Sequence, residues 1–463
     1  MSGIQVDKHY DLIIIGAGSG NSIPGPEFDD KSIAIVEKGK FGGTCLNVGC
    51  IPTKMFVYTS EVAETIRKSE QFGISSELTA VDWPGIVKRV FADRIDPIAE
   101  GGEAYRRGPE TPNIDVYDQH ARFVAPKTIN TGQGAEKRVI SGDTIVIAAG
   151  SRPFIPEVVV ESGVRYYTNE DIMRLPQLPK SMIVMGGSFI ALELAHMFQA
   201  LGVDVTLVNR SPRLLRFFDT QISDRITQAT SEAMTTHLGV TFTELSEDES
   251  GITAQLSDGS VVQGEVLLVA TGRVPNGDLM DLNKAGIEMD GARIKVNKYG
   301  QATADGVWAL GDVSSPYQLK HVANAEMRTV RHNILNPNDL WELPHKNVPA
   351  AVFTHPQIGT IGLTEQQARE RGLNITVKVQ NYGDVAYGWA MGDVGNFAKL
   401  IADKDMGKLV GAHIIGPQAS TLVQQLVTVM AFDLDVRAVA RDQYWIHPAL
   451  PELIENALLG LEF

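Results

Sequence analysis

The only two cysteines of the 463-residue chain stand five apart, Cys45 and Cys50 in "GGTCLNVGCIPTK". A scattered cysteine is usually an inert core thiol, but a pair at this spacing can close into a disulfide when the segment is partly helical. So small a ring stabilises a fold very little, and a reducing cytosol would open it. A reversible dithiol is the use the spacing suggests. Pro52 sets a kink or a helix start directly after Cys50. Lys54, four residues beyond Cys50, falls on the same helical face, where its charge favours a thiolate. Near the C-terminus, "HPALPE" places His447 five residues ahead of Glu452. Thiol–disulfide exchange needs a proton for the departing thiolate, and an imidazole whose tautomer a carboxylate fixes can shuttle it. Alone, "HPALPE" reads as a helix entry; the cysteine pair gives it a chemical reason.

Two nucleotide-type units must position these residues. "YDLIIIGAGSG" opens one, an apolar strand running into a glycine-rich turn. "SMIVMGGSFIALELAHMFQALGVDVTLVNR" forms the other, with strand, turn, helix and strand uninterrupted. In this second unit the N–H groups at "GGSFIA" point where a pyrophosphate would lie, with Ser188 at the position of closest approach. Its next strand ends at Val208. There Asn209, Arg210, Arg213 and Arg216 of "NRSPRLLR" replace the carboxylate that reads a ribose 2′-hydroxyl. Guanidinium forks bind a 2′-phosphate bidentately, so NADPH is expected over NADH, a solvated basic loop being the alternative.

The first unit keeps Gly16 and Gly18 and carries Glu37 at the end of "SIAIVE", the spacing of a carboxylate on an unphosphorylated ribose, as in FAD. Its first helix is compromised. Asn21 stands at the third glycine position, where it should widen the contact. Pro24 and Pro26 predict a shortened or re-entered helix with one proline in a first turn. "TADGVWALGDV" supplies another strand end, Gly311-Asp312, able to cap the other part of a flavin dinucleotide.

Each unit is followed by a strand ending in a small-residue turn, "TIVIAAGSRP" and "LLVATGRVPN", so the chain reads as a duplicated α/β fold. From about Leu340 the pattern becomes an antiparallel sheet with helices, and Gly407 of "DKDMGK" marks a hairpin turn. The net charge of −15 is dispersed with no basic face, which argues against a nucleic-acid partner. No apolar run approaches the roughly 18 residues of a spanning helix. Met1–Tyr10 lacks a secretory pattern, so a cytoplasmic protein is expected. The histidines show no metal-ligand spacing, and no metal site is expected.

Taken in order, "GGTCLNVGCIPTK", "VWALGDV", "LLVATGRVPN", "VFTHPQIGTIGLTE" and "HPALPELIENAL" resemble the flavoprotein disulfide reductases over nearly the whole chain. The resemblance implies two Rossmann-like dinucleotide-binding domains, one for FAD (1–152 with 277–342) and one for NADPH (153–276). It also implies a C-terminal α+β interface domain (343–463) that forms a homodimer. By position, Cys50 would face the flavin as the charge-transfer thiolate, and Cys45 would be the interchange thiol that attacks a small-molecule disulfide. Lys54 would lie near flavin N5 with Glu193 as its partner. His447 and Glu452 would reach the cysteines of the other subunit. The resemblance assigns Gly16, Gly18, Gly20, Glu37, Thr44, Lys54, Ala121, Gly150, Asp312 and Lys320 to FAD. To NADPH it assigns Gly186, Gly187, Ser188, Phe189, Ile190, Arg210, Arg216, Gly272, Arg273 and Val352, with Phe189 covering the nicotinamide pocket.

Two cysteines leave none for the extra pairs of large thioredoxin reductases or mercuric reductases, and the arginine loop argues against lipoamide dehydrogenase. "NSIPGPEFDDKS" has no arginine and three acidic residues before Lys31, so a disulfide bearing glycine carboxylates is disfavoured. That stretch is expected to form a rebuilt wall of the substrate pocket. A lipoamide dehydrogenase subunit, a one-electron quinone or metal reductase, and a redox-sensing scaffold stay open as alternatives.

Overall fold

Isoleucine-rich runs too apolar for a one-sided strand go to the middle of a parallel sheet. In the computed structural model, which describes residues 4–463, Lys8–Ile15 lies between Ile33–Val36 and Arg138–Ile147, all parallel. Ile114–Tyr117 extends one side, and Val307–Ala309 pairs with the far half of Arg138–Ile147. The near half continues into an antiparallel pair, Thr128–Thr131 and Ala121–Ala125. The second unit repeats the plan. Its parallel sheet is ordered Thr235–Leu238, Asp204–Asn209, Ser181–Met185, Val266–Val269, with an antiparallel meander over residues 242–264.

The duplication extends to single atoms. Gly16 has φ +106° and Gly186 has φ +132°; a Cβ would fall 2.4 Å from the Ala148 carbonyl oxygen in the first and 2.3 Å from that of Ala270 in the second. Each glycine is required by the end of the neighbouring strand in its own unit. The turns that follow lead into Ser151–Pro153 and Arg273–Pro275, which pair antiparallel as a seam between the units.

The units differ in the first helix. The second has the twelve-residue helix Phe189–Ala200; the first has only two 3₁₀ turns, Ser19–Ser22 and Pro26–Phe28. Pro26 opens its turn, as expected, where a missing N–H is tolerated. Ile23 and Phe28 stay buried with Leu12 and Ile14, so the stretch packs without being a helix. The expectation for Asn21 is corrected. Gly20 makes the close approach, since a Cβ there would meet the Ala148 and Ile14 side chains at 2.8 and 2.9 Å. Asn21 instead accepts a bond from Arg106 Nε at 2.9 Å, and Arg106 also donates to the Asn21 carbonyl at 2.8 Å, satisfying an acceptor the lost helix leaves open.

The C-terminal sheet is antiparallel, ordered Ala350–Val352, Ile358–Gly362, Lys408–Ile415, Phe397–Asp403, Ile375–Asn381. Helices Ala419–Ala431 and Pro451–Leu459 pack on it. Gly407, at φ +65°, lies in the expected hairpin between Phe397–Asp403 and Lys408–Ile415. Among the described residues no helix is long and apolar enough to cross a membrane, and no group of His, Cys, Asp or Glu is placed to hold a metal.

Candidate active site

Cys45 lies in the short helix Gly43–Asn47, and Cys50 opens the 19-residue helix Cys50–Lys68. A contact between two glycines seats them. Gly43, at φ +72°, is so near Gly18 that a Cβ on it would stand 2.7 Å from the Gly18 Cα. The cysteine segment therefore rests directly on the glycine turn of the first unit. Gly43→Ala should strain the backbone by about 1–2 kcal/mol and push the cysteines off that turn. We expect a lowered Tm and loss of FAD on gel filtration, read from flavin absorbance.

Both cysteines are free thiols that share a hydrogen bond. Two thiols sharing a hydrogen bond ionise one at a time. The bond from Cys50 lowers Cys45 to about 7, aided by the charge of Lys320 and the N–H groups of Ile51 and Cys50 at the helix start, and opposed by burial. The same bond pushes Cys50 up, as do burial and the Cys45 charge. The chain's own groups thus put the charge on Cys45, whereas the resemblance puts the resting thiolate on Cys50.

The surrounding residues fit FAD. Gly16, Gly18 and Gly20 keep the turn free of side chains, and the Glu37 carboxylate is aimed back at it, accepting the Ala17 and Gly39 N–H groups at 2.8 Å each. Asp312 accepts from Ser151 Oγ at 2.6 Å. Lys320 Nζ donates to Ser19 Oγ at 2.8 Å, beside the same turn. Thr44 is exposed next to Cys45, Ala121 packs in the cluster that contains Val36, and Gly150 begins the seam.

Lys54 has a second carboxylate beside the expected Glu193, on which its charge also acts. Its Nζ lies 3.4 Å from Glu61 Oε1, two turns along the same helix face, and 4.2 Å from the centre of the Phe353 ring. Glu193 accepts the Phe353 N–H at 3.0 Å. Burial pushes Glu193 up to about 7, with the Phe353 bond opposing and the Cys50 charge assisting. A carboxyl raised from 4.5 to about 7 on folding binds its proton more tightly in the native state. Its contribution is therefore present below pH 4.5 and is lost as pH rises through 7. Glu193→Gln should flatten this slope, a difference of up to about 3 kcal/mol between pH 5 and 8 in denaturant unfolding of the apoprotein.

In the second unit, Ser188 caps Phe189–Ala200 without a side-chain bond, leaving the N–H groups of Phe189 and Ile190 for a phosphate. A Cβ on Gly187 would meet the Asn209 amide at 2.6 Å. Arg213 is held by Asp224 at 2.8 Å, whereas Arg210 and Arg216 are exposed, Arg216 lying 4.5 Å over the Phe217 ring. Gly272 begins the seam, and Val352 is buried next to Phe353.

Arg273 is tied to the chain itself. Each of its three guanidinium nitrogens donates within the chain: to Ser151 Oγ at 2.8 Å, the Ser151 carbonyl at 2.7 Å and Asn169 Oδ1 at 3.1 Å. Asn169 in turn donates to the Val48 carbonyl, between the two cysteines, at 2.9 Å. A half-buried guanidinium needs its donors satisfied, so Arg273 is a strut joining the seam, Asp312 and the cysteine loop.

His447 Nδ1 lies 3.2 Å from Glu452 Oε2 at the entry to Pro451–Leu459. Glu452 is four-fifths covered, while His447 is 65% exposed and its neighbours Tyr444 and Ile446 are open to solvent. The pair is formed on the C-terminal domain and presented outward.

The pyridine nucleotide-disulphide oxidoreductase profile matches residues 10–328, and that of the corresponding dimerisation domain matches 348–458. The chain belongs to the pyridine nucleotide-disulphide oxidoreductase family. It is similar to a mycothione reductase of Mycobacterium tuberculosis, 51% identical over 98% of this chain and 99% of that one. A dihydrolipoyl dehydrogenase of Mycobacterium bovis is 31% identical over 98% of both chains. An HOCl-induced flavoprotein disulfide reductase from Escherichia coli has a TM-score of 0.86 at 25% identity, over 98% of this chain and 100% of that one.

As a pyridine nucleotide-disulphide oxidoreductase, the chain uses FAD and NADPH and carries a dimerisation domain. The first match spans both glycine turns, the cysteines and Asp312; the second spans His447 and Glu452. Spacing offers no signal for three further residues of this oxidoreductase site. Arg106, Ser151 and Asn169 meet Asn21, Asp312 and Val48 across 85, 161 and 121 residues of chain.

Proposed function

We propose that the protein reduces mycothione, the disulfide of mycothiol, with NADPH, as a cytoplasmic homodimer whose two active sites each use both subunits. The observation that carries this is the Cys45–Cys50 pair seated on the Gly18 turn, in a chain 51% identical to a mycothione reductase over its length. The stretch that replaces the first helix offers no free guanidinium for a glycine carboxylate of glutathione disulfide. Glu27, Asp29 and Asp30 are exposed on the stretch replacing the first helix, and the two guanidiniums reaching it, Arg106 and Arg331, are engaged by Asn21 and Glu27. The working units are 1–152 with 277–342 for FAD, 153–276 for NADPH and 343–463 for the interface.

When bound, the two cofactors supply the electron pair that opens the Cys45–Cys50 disulfide. Lys320 and the helix-start N–H groups hold the resulting charge on Cys45, while Cys50 keeps its proton. Cys45 Sγ attacks one sulfur of mycothione, the S–S bond breaks, and the first mycothiol leaves as a thiolate. His447 of the partner subunit, as imidazolium against Glu452, gives that thiolate its proton. Cys50 then loses its proton to the same imidazole and attacks Cys45 Sγ in the mixed disulfide. The second mycothiol leaves with that proton, and the cysteine pair is oxidised again.

The test is a side-by-side assay of purified protein with mycothione, glutathione disulfide and lipoamide. We expect kcat/KM for mycothione to exceed the others by at least about 10²-fold. Equal or better turnover of either competitor would overturn the assignment, and a preference for NADH would point to a dihydrolipoamide dehydrogenase.

A further inference from the structure

Helix Thr220–Ala233 of the nucleotide unit is capped by Asp219, which is 1% exposed and accepts the Gln221 N–H at 3.1 Å. A cap does not need a buried lysine. Yet Lys399, 2% exposed in the strand Phe397–Asp403, sets Nζ 2.9 Å from Asp219 Oδ1 and 2.8 Å from Glu365 Oε2. Asp219 Oδ2 accepts the Glu365 N–H at 3.1 Å, and Arg369 holds Glu365 at 2.6 Å. His413, opposite Lys399 in the sheet, is occupied by Thr360 and the Leu363 carbonyl. Burial alone would raise the Asp219 carboxyl, but Lys399, His413 and the Glu365 N–H hold it low. Arg225 adds a second tie from the same helix, to the Gly395 carbonyl at 3.0 Å.

Asp219 ends the segment that carries Arg210 and Arg216. Leu215, directly before Arg216, sits at φ +47°, a left-handed conformation costly for leucine. Its N–H bonds the Gly187 carbonyl at 3.0 Å, its carbonyl accepts Ser223 Oγ at 2.8 Å, and its side chain is buried. Arg216 is thus fastened on one side to the glycine turn and, three residues on, to the C-terminal sheet.

We propose that Lys399 is a positioning residue for the 2′-phosphate of NADPH: it clamps Asp219 and thereby fixes where Arg216 stands. The inference rests on reading Arg210 and Arg216 as the 2′-phosphate site. It makes nucleotide discrimination depend on the C-terminal sheet, beyond that sheet's part in dimerisation.

The test compares Lys399→Met, Lys399→Arg and, as control, Arg216→Ala in the holoenzyme. The readouts are kcat/KM with NADPH and with NADH, and the calorimetric affinities of 2′-phospho-AMP and AMP. Arg216→Ala should lower the NADPH:NADH ratio about 10²-fold. Lys399→Met should lower it about 10-fold with the NADH value within about twofold of wild type. The 2′-phospho-AMP:AMP affinity ratio should fall in parallel, and Lys399→Arg should restore most of both. Because Lys399→Met leaves Asp219 charged and buried, the double variant Asp219→Asn/Lys399→Met is measured alongside; it keeps a capping side chain and removes both charges. A ratio unchanged in Arg216→Ala overturns the loop reading and the inference with it. A ratio that falls in Arg216→Ala but holds in both Lys399→Met variants leaves the loop reading standing and overturns the role of Lys399 alone.

Discussion

Cys45→Ser should lower mycothione reduction by more than about 10³-fold while FAD stays bound and NADPH still reduces it. The loss is chemical rather than architectural. Gly43 and Gly18 make the contact that seats the segment, and serine leaves both untouched. A hydroxyl in the same place, facing the same helix start and Lys320, does not ionise near neutrality, so it cannot open a disulfide. Turnover with mycothione and the flavin spectrum under NADPH measure the two halves separately, and full turnover in the variant would refute the scheme. The same assignment fixes a pH dependence. With Cys45 lowered to about 7, alkylation of the reduced protein by iodoacetamide should rise with pH through that value, since the thiolate is the reacting form above it. Cys50→Ala removes the largest lowering influence and should move the midpoint up toward an ordinary thiol.

Much of the fold is legible because its signals are local. Apolar runs ending at Gly16 and Gly186 declare buried parallel strands followed by phosphate turns, and the structure repeats the requirement at Ala148 and Ala270. The prolines likewise declare a break in the first helix, since proline acts on its own turn. Asn21 is different. Its position in the motif is visible, but whether it opens a gap depends on Gly20 beneath it and on Arg106, which arrives from 85 residues away.

The site divides along the same line. The pairs Cys45–Cys50 and His447–Glu452 are legible in spacing because the two members of each are near neighbours in sequence. The contacts of Lys54 and Arg273 within the chain are not legible, because a long charged side chain chooses among partners that only packing supplies. Glu61 lies on Lys54's own helix face, while Glu193 is turned to the Phe353 backbone. Arg273 sits in a strand whose partner is the equivalent strand of the other unit, so its guanidinium closes the seam.

His447→Gln should cost about 10²–10⁴-fold in mycothione turnover, because the departing thiolate loses its proton donor. The thiolate on Cys45 and its alkylation profile should persist, since the charges and N–H groups that lower it lie on the nucleotide side of the molecule. Glu452→Gln should fall between this variant and wild type, as it leaves the imidazole present but removes the carboxylate 3.2 Å away. The exposure of His447, Tyr444 and Ile446 implies more than loss of a proton donor. If the outward-facing pair serves the cysteines of the other subunit, two dead variants must complement each other. Mixed and reassorted in equal amounts, Cys45→Ser and His447→Gln chains form heterodimers in about half of all pairings. Each heterodimer contains one site with a native Cys45 from one chain and a native His447 from the other. Activity should therefore return to roughly a quarter of the wild-type value per chain. A site built within a single subunit gives no recovery, because every chain in the mixture lacks either its nucleophile or its acid.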